Sequence, residues 1–107
     1  MSYTYLSTTD IAPRFSDTPL VDGTEWNEAM AEFFTIHAEC GIEVVSTGWS
    51  GALGKFVSIQ TAPDVESANK AQVLLTNAGL VASLVTGPYI SLEELLAVQG
   101  VAVPDGL

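Results

Sequence analysis

Residues 3–9 alternate, with Tyr3 and Tyr5 interleaved with Thr and followed by Ser and Thr, the two-residue period of a half-buried strand. After Gly23 the period changes. Trp26, Ala29, Met30, Phe33, His37 and Cys40 recur at helical spacing, which predicts a helix from about Glu25 to Cys40, opened by an Asp22/Glu25 capping pair with Thr24 as a competing cap, and ended by Gly41. Between strand and helix, Asp10 to Gly23 carries Pro13, Pro19 and Gly23. That stretch reads as a long connection able to close over a site.

Ile42–Thr47 and Lys55–Thr61 are rich in Val, Ile and Thr, and the glycines of Gly48–Gly54 between them predict an antiparallel hairpin. Asp64 then stands as the cap of a second helix whose apolar stripe is Val65, Ala68, Ala71, Leu75 and Ala78, stopped by Gly79. Leu80–Thr86 is a nearly continuous apolar run, as in a central strand buried on both sides, broken by Gly87-Pro88. Ser91-Leu92-Glu93-Glu94 is a capping box opening a short helix that ends at Gly100. The tail from Val101 to Leu107 is expected to lean on the body or on a partner.

The order strand, helix, strand, strand, helix, strand is the split βαβ pattern. It predicts an α+β fold, a ferredoxin-like βαββαβ sandwich with a short C-terminal helix, formed by residues 1–107 as one domain. Both main helices would cover one face of a four-stranded antiparallel sheet. On the predicted strands Lys55 and Glu43 are the ionised residues, while Val44, Val45, Phe56, Val57, Ile59, Leu84 and Val85 spread over both faces. A bare apolar sheet face tends to be a contact surface, and the expected partner is a second copy, a homodimer formed through the open sheet face.

Charge narrows the partners. Three basic residues face thirteen acidic ones, for a net charge of -10, and such a surface repels nucleic acid and anionic membranes alike. No stretch approaches the roughly 18 apolar residues of a membrane span, and no signal-like segment opens the chain. One cysteine, Cys40, makes no internal disulfide and suits a reducing compartment, so the expectation is a cytoplasmic protein. An anionic group on a ligand would have few partners here: Arg14, Lys55, Lys70, His37 or helix-start amides.

His37 is the first candidate for chemistry. It sits mid-stripe among Trp26, Met30, Phe33 and Cys40, so the helix points an imidazole at the sheet, where it can relay a proton or hold a polar group. A core histidine bonded to a backbone carbonyl or a strand hydroxyl is the alternative. Cys40, one turn on, could pair with it as an activated thiol, although no third member is in view to orient the ring. Arg14, the sole arginine, lies in the long connection and can offer a fork of donors to a carboxylate, or pair with Asp10 or Asp17 at the surface. Lys55 could serve the same end or be an edge charge. Tyr3, Tyr5, Trp26, Trp49, Phe56 and Tyr89 supply the aromatic surface of a pocket, and equally of a core. A single histidine rules out a multi-histidine metal site, and neither a phosphate-loop spacing nor a nucleophile elbow is found. No cofactor is called for.

The run Gly51-Ala52-Leu53-Gly54-Lys55-Phe56-Val57-Ser58-Ile59, then Ala62-Pro63-Asp64 with Ala68, Asn77-Ala78-Gly79 and Ser91-Leu92-Glu93-Glu94, resembles the dimeric α/β-barrel superfamily, in particular its GYD-type proteins of unknown function. Where that name derives from a Gly-Tyr-Asp step, this chain has Gly54-Lys55-Phe56, and no ligand role is carried over. The resemblance implies pairing through open sheet faces and binding of apolar or aromatic molecules between sheet and helices. It also brings cofactor-free monooxygenases and isomerases into view.

The resulting expectation is a small-molecule binding dimer. Its pocket would be lined by Trp26, Met30, Phe33, His37 and Phe56, with Arg14, Lys55 or His37 holding the polar end of a fatty-acid-like or aromatic carbonyl or carboxylate compound. Two alternatives stand beside it: cofactor-independent catalysis with His37 as acid or base, and an interaction dimer without a ligand.

Overall fold

The computed structural model describes residues 2–16 and 24–102. Its elements are β1 (Tyr3–Asp10), α1 (Pro13–Ser16), α2 (Thr24–Glu39), β2 (Glu43–Ser50), β3 (Lys55–Ala62), α3 (Val65–Asn77), β4 (Ala82–Pro88) and α4 (Leu92–Val98). The four strands form one antiparallel sheet in the order β2-β3-β1-β4, an α+β arrangement compatible with a ferredoxin-like fold. Both long helices lie over the same face. Phe33 of α2 and Leu75 of α3 meet in one apolar cluster, and Ala68 and Ala71 of α3 close on Tyr5 of β1 in a second. No helix among the described residues is long and apolar enough to cross a membrane.

The local signals act where the sequence puts them. Asp64 accepts the amide of Ser67 at 2.7 Å to open α3, and Ser91 and Glu94 close a reciprocal capping box on α4. Each long helix ends on a left-handed glycine. At Gly41 (φ 71°) the amide of Ile42 reaches back to the His37 carbonyl at 2.9 Å, and at Gly79 (φ 72°) the amide of Leu80 does the same to Leu75 at 3.0 Å. An L-residue at either position would carry backbone strain.

Three expectations change. The long connection is not all loop: Pro13–Ser16 forms one helical turn whose Phe15 is buried in the core, because an apolar ring at that point can be drawn under α2. Residues 17–23, including Asp17 and the Asp22 half of the expected cap, lie outside the described residues. The β2–β3 hairpin is longer than the glycine pattern suggests, since Gly48, Trp49 and Ser50 remain paired with Val57, Phe56 and Lys55 and only 51–54 turn. Glycine tolerates a strand even where it disfavours one.

The largest correction concerns the last strand. β4 is an edge, hydrogen-bonded among the described strands to β1 alone, and Val85 on it is 65% exposed. Leu80 and Val81, which made the run look doubly buried, precede the strand and plug the core. Pro88 is tolerated at its end because an edge strand needs no second set of ladder bonds.

The sheet mixes polar and apolar residues on both faces. Residues directly opposite in an antiparallel ladder share a face, so Tyr5–Gln60, Ser7–Ser58 and Thr9–Phe56 look toward the helices, whereas Leu6–Ile59 and Thr8–Val57 look away. The covered face therefore holds the buried polar side chains Ser7, Ser58 and Gln60. The uncovered face holds Leu6, Val57, Ile59 and Val85.

Candidate functional site

Between that polar floor and the two helices lies a pocket of about 200 Å³. Its helix side is largely apolar, with Met30 and Phe33 from α2 and Leu75 from α3 beside the polar Gln72, and Leu80 and, on β4, Leu84 add to the apolar lining. Phe15 and Phe56, 6.4 Å apart at their centroids, stand together at its wall. The volume exceeds the roughly 150 Å³ that accommodates benzene and falls below the roughly 300 Å³ at which drug-sized sites begin. It has room for one ring or a short chain.

The floor is hydrogen-bonded in sequence. Gln60 donates from Nε2 to Ser58 Oγ at 2.7 Å, and Ser58 donates to the Ser46 carbonyl at 3.2 Å. Ser7 stands 3.2 Å from the Thr86 hydroxyl and 3.4 Å from Gln60 Oε1. Buried hydroxyls and amides are tolerable only when bonded in this way. The small side chains of Ser7 and Ser58 at helix-facing positions leave space that Leu or Ile would have filled, and the pocket lies over them.

His37 and Tyr5 are the two largest fully buried side chains, and both line the pocket. Nδ1 of His37 lies 2.8 Å from the carbonyl of Phe33, one turn back on α2. A carbonyl only accepts, so Nδ1 carries the proton, and the neutral ring keeps an unprotonated Nε2. Burial holds the imidazole below its ordinary 6.5, with the Phe33 carbonyl pulling the other way. The one side-chain hydrogen bond of His37 among the described residues is that of Nδ1. The ring lies 4.4 Å from that of Phe33. The Tyr5 hydroxyl is buried with no partner among the described residues, and burial, reinforced by Tyr3 and Cys40, pushes it up to about 12. Of the sequence alternatives for His37, the backbone carbonyl is satisfied from one nitrogen only.

The two expected cations stand at the rim. Arg14 is engaged with Glu32 of α2 and donates to the Ala78 carbonyl at 3.1 Å. It thereby ties α1 to α2 and to the end of α3, and so holds Phe15 against the pocket. Its stem lies over Gly79, where an added Cβ would meet Cδ of Arg14 at 3.5 Å. Lys55 pairs with Asp10, and Lys55 together with the Ser83 hydroxyl holds the Asp10 carboxyl below the usual carboxylate range. Asp10 itself lines the pocket. It does so because β1 and β4 slip register between Thr8 and Asp10, opposite Ser83, whose φ of 51° marks the irregularity.

Met30, Phe33, His37 and Phe56 are thus brought together, with Arg14 and Lys55 beside them in ion pairs. The Trp26 side chain lies outside the described residues. Cys40 is partly buried against the Tyr5 cluster. Sequence reasoning missed Ser7, Ser58 and Gln60, and placed Tyr5 among the aromatics of a pocket or core without its unpartnered hydroxyl. Period-2 alternation in Tyr5-Leu6-Ser7 and Ser58-Ile59-Gln60 carried the signal, but alternation does not say which face is covered. No group of His, Cys, Asp and Glu able to hold a metal occurs among the described residues. No protein-family model and no curated protein matches the chain, so the site is read from its own geometry.

Proposed function

We propose that the protein is a small-molecule binding homodimer, holding a mostly apolar guest of one-ring size between the sheet and α2. The observation that carries this reading is the pocket itself: an apolar roof over a polar floor, at a level of the fold where a core would otherwise be filled. Interiors are close-packed, and an open volume of this size forgoes contacts unless something occupies it. The volume favours an aromatic or short-chain guest over a long acyl chain. The homodimer is supported by Leu6, Val57, Ile59 and Val85 on the uncovered face, which a second copy would take out of water. A reducing cytoplasm suits the single unpaired Cys40.

Native mass spectrometry of protein purified without denaturation is the direct test. The expected result is twice the chain mass plus a small adduct, with thermal stabilisation by one-ring compounds. A monomer with no adduct and no shift across such a panel would sink the reading and leave, at most, a filled interaction module.

One observation favours a second reading, acid–base catalysis without a cofactor. The buried neutral His37 offers an unprotonated Nε2 inside the pocket, which is the state a general base requires. Turnover that His37→Ala removes while the fold survives would establish it.

A further inference from the structure

The pocket's polar inventory specifies the chemical class of its guest. Three observations bear on it. First, Nδ1 of His37 is committed to the Phe33 carbonyl at 2.8 Å, which turns the opposite edge of the ring, with Nε2, away from the helix backbone. An unprotonated Nε2 is an acceptor and nothing else. Second, no lysine or arginine is among the described residues that line the cavity, and the ionisable carboxyl that does line it, Asp10, is negative. Third, the floor has largely satisfied itself: Ser58 and Ser7 give their protons to Ser46 and to Thr86 or Gln60. What α2 offers is the acceptor Nε2 of His37, while the Tyr5 hydroxyl on β1 and the Gln72 carboxamide on α3, which also line the cavity, can donate as well as accept.

Resting on the small-molecule reading above, we infer that the guest is a neutral molecule carrying an O–H donor, a phenol or an enol on a single ring, whose hydroxyl donates to Nε2 of His37 while its carbon face lies against Phe33, Leu75 and Leu80. A carboxylate is disfavoured at Nε2, since it brings lone pairs to a lone pair and gives up its hydration where Arg14 and Lys55 are already engaged with Glu32 and Asp10. A hydrocarbon of the same size fits the roof but leaves Nε2 desolvated and unpaired, the circumstance in which a site discriminates most strongly against an analogue lacking the polar group. The carboxylate end considered from the sequence alone gives way to a hydroxyl at His37, because the cations that would have held an anion are engaged in ion pairs.

Phenol, toluene and benzoate form a size-matched series for calorimetry on the full chain. Phenol is expected to bind about tenfold more tightly than toluene, with benzoate weakest. In His37→Phe, which keeps a ring against Phe33, phenol and toluene should bind alike. His37 is the chain's one histidine, so nitrogen NMR of the imidazole needs no assignment. In the wild type it should show the Nδ1-protonated neutral tautomer, and phenol should move the Nε2 resonance while toluene leaves it in place. Should toluene bind as tightly as phenol, or Nε2 fail to respond, the hydroxyl inference is overturned and the apolar pocket stands. Should benzoate bind best, the inference is likewise overturned in favour of an anion site. If none of the three binds, the inference and the small-molecule reading fall together.

Discussion

Ser7 and Ser58 face one another across β1 and β3 beneath the helices, while the next pair along the ladder, Leu6 and Ile59, faces the uncovered side. At these two pairs the ordinary order of a sheet with one roofed face, apolar in and polar out, is exchanged. The exchange has two consequences, a pocket where side chains are too small and too polar to fill the interior, and an apolar face left to be covered from elsewhere. Both consequences can be tested residue by residue.

The floor should behave as a network. Ser58→Ala deletes the acceptor of the Gln60 side-chain N–H in a buried setting and is expected to cost about 1–3 kcal/mol in urea unfolding. Adding Gln60→Leu should return part of that loss, since both partners are then apolar, and a double-mutant cycle reads the difference. Strict additivity of the two changes would show that they do not interact.

Tyr5→Phe removes a hydroxyl that is buried and unpartnered among the described residues. The expected effect on stability is neutral to favourable, by up to about 1 kcal/mol, because no protein hydrogen bond is lost and a desolvation cost disappears. A spectrophotometric alkaline titration of the wild type should show one tyrosine ionising late, near pH 12. A marked destabilisation by Tyr5→Phe would mean that the hydroxyl has a partner.

His37 links stability to pH with a definite sign. Its folded pKa is held below the unfolded value near 6.5, so below about pH 6.5 the unfolded chain binds a proton that the folded chain resists. The contribution is complete above that pH and is lost as the pH falls toward the folded pKa. His37→Phe should flatten this part of the stability profile, measured by urea unfolding between pH 7.5 and the onset of carboxylate titration. An unchanged profile would place the ring in water.

Phe15 should hold the pocket wall. Phe15→Ala is expected to cost about 3–5 kcal/mol, the range for deleting a buried ring. Arg14→Ala should cost far less through its ion pair with Glu32, about 1 kcal/mol or below, because both partners are more than a third exposed. Equal losses would mean that the ion pair, and not the ring, fixes α1.

Val85→Asp tests the proposed homodimer. Val85 is exposed in the single chain, so the monomer fold should tolerate the change. Sedimentation should then move from dimer to monomer as a charge enters an apolar seam. An unaltered dimer would place the interface away from β4.

Much of the architecture was legible in the residues alone, because its signals are local. Asp64 and Ser91 satisfy amides three residues on, Gly41 and Gly79 accept a left-handed backbone that ends a helix, and the change of period after Gly23 separates strand from helix. His37 was legible for the same reason, since helical spacing alone puts it on the stripe of Met30 and Phe33. The tertiary structure decided what depends on partners distant in sequence. Which side of β1 and β3 is roofed, that β4 is an edge, that Arg14 meets Glu32 and Lys55 meets Asp10, and that Ser7, Ser58 and Gln60 form a floor are all long-range pairings. A period of two states that a strand has two unlike faces, and the chain's own chemistry is silent on which one the helices will choose until the crossovers are closed.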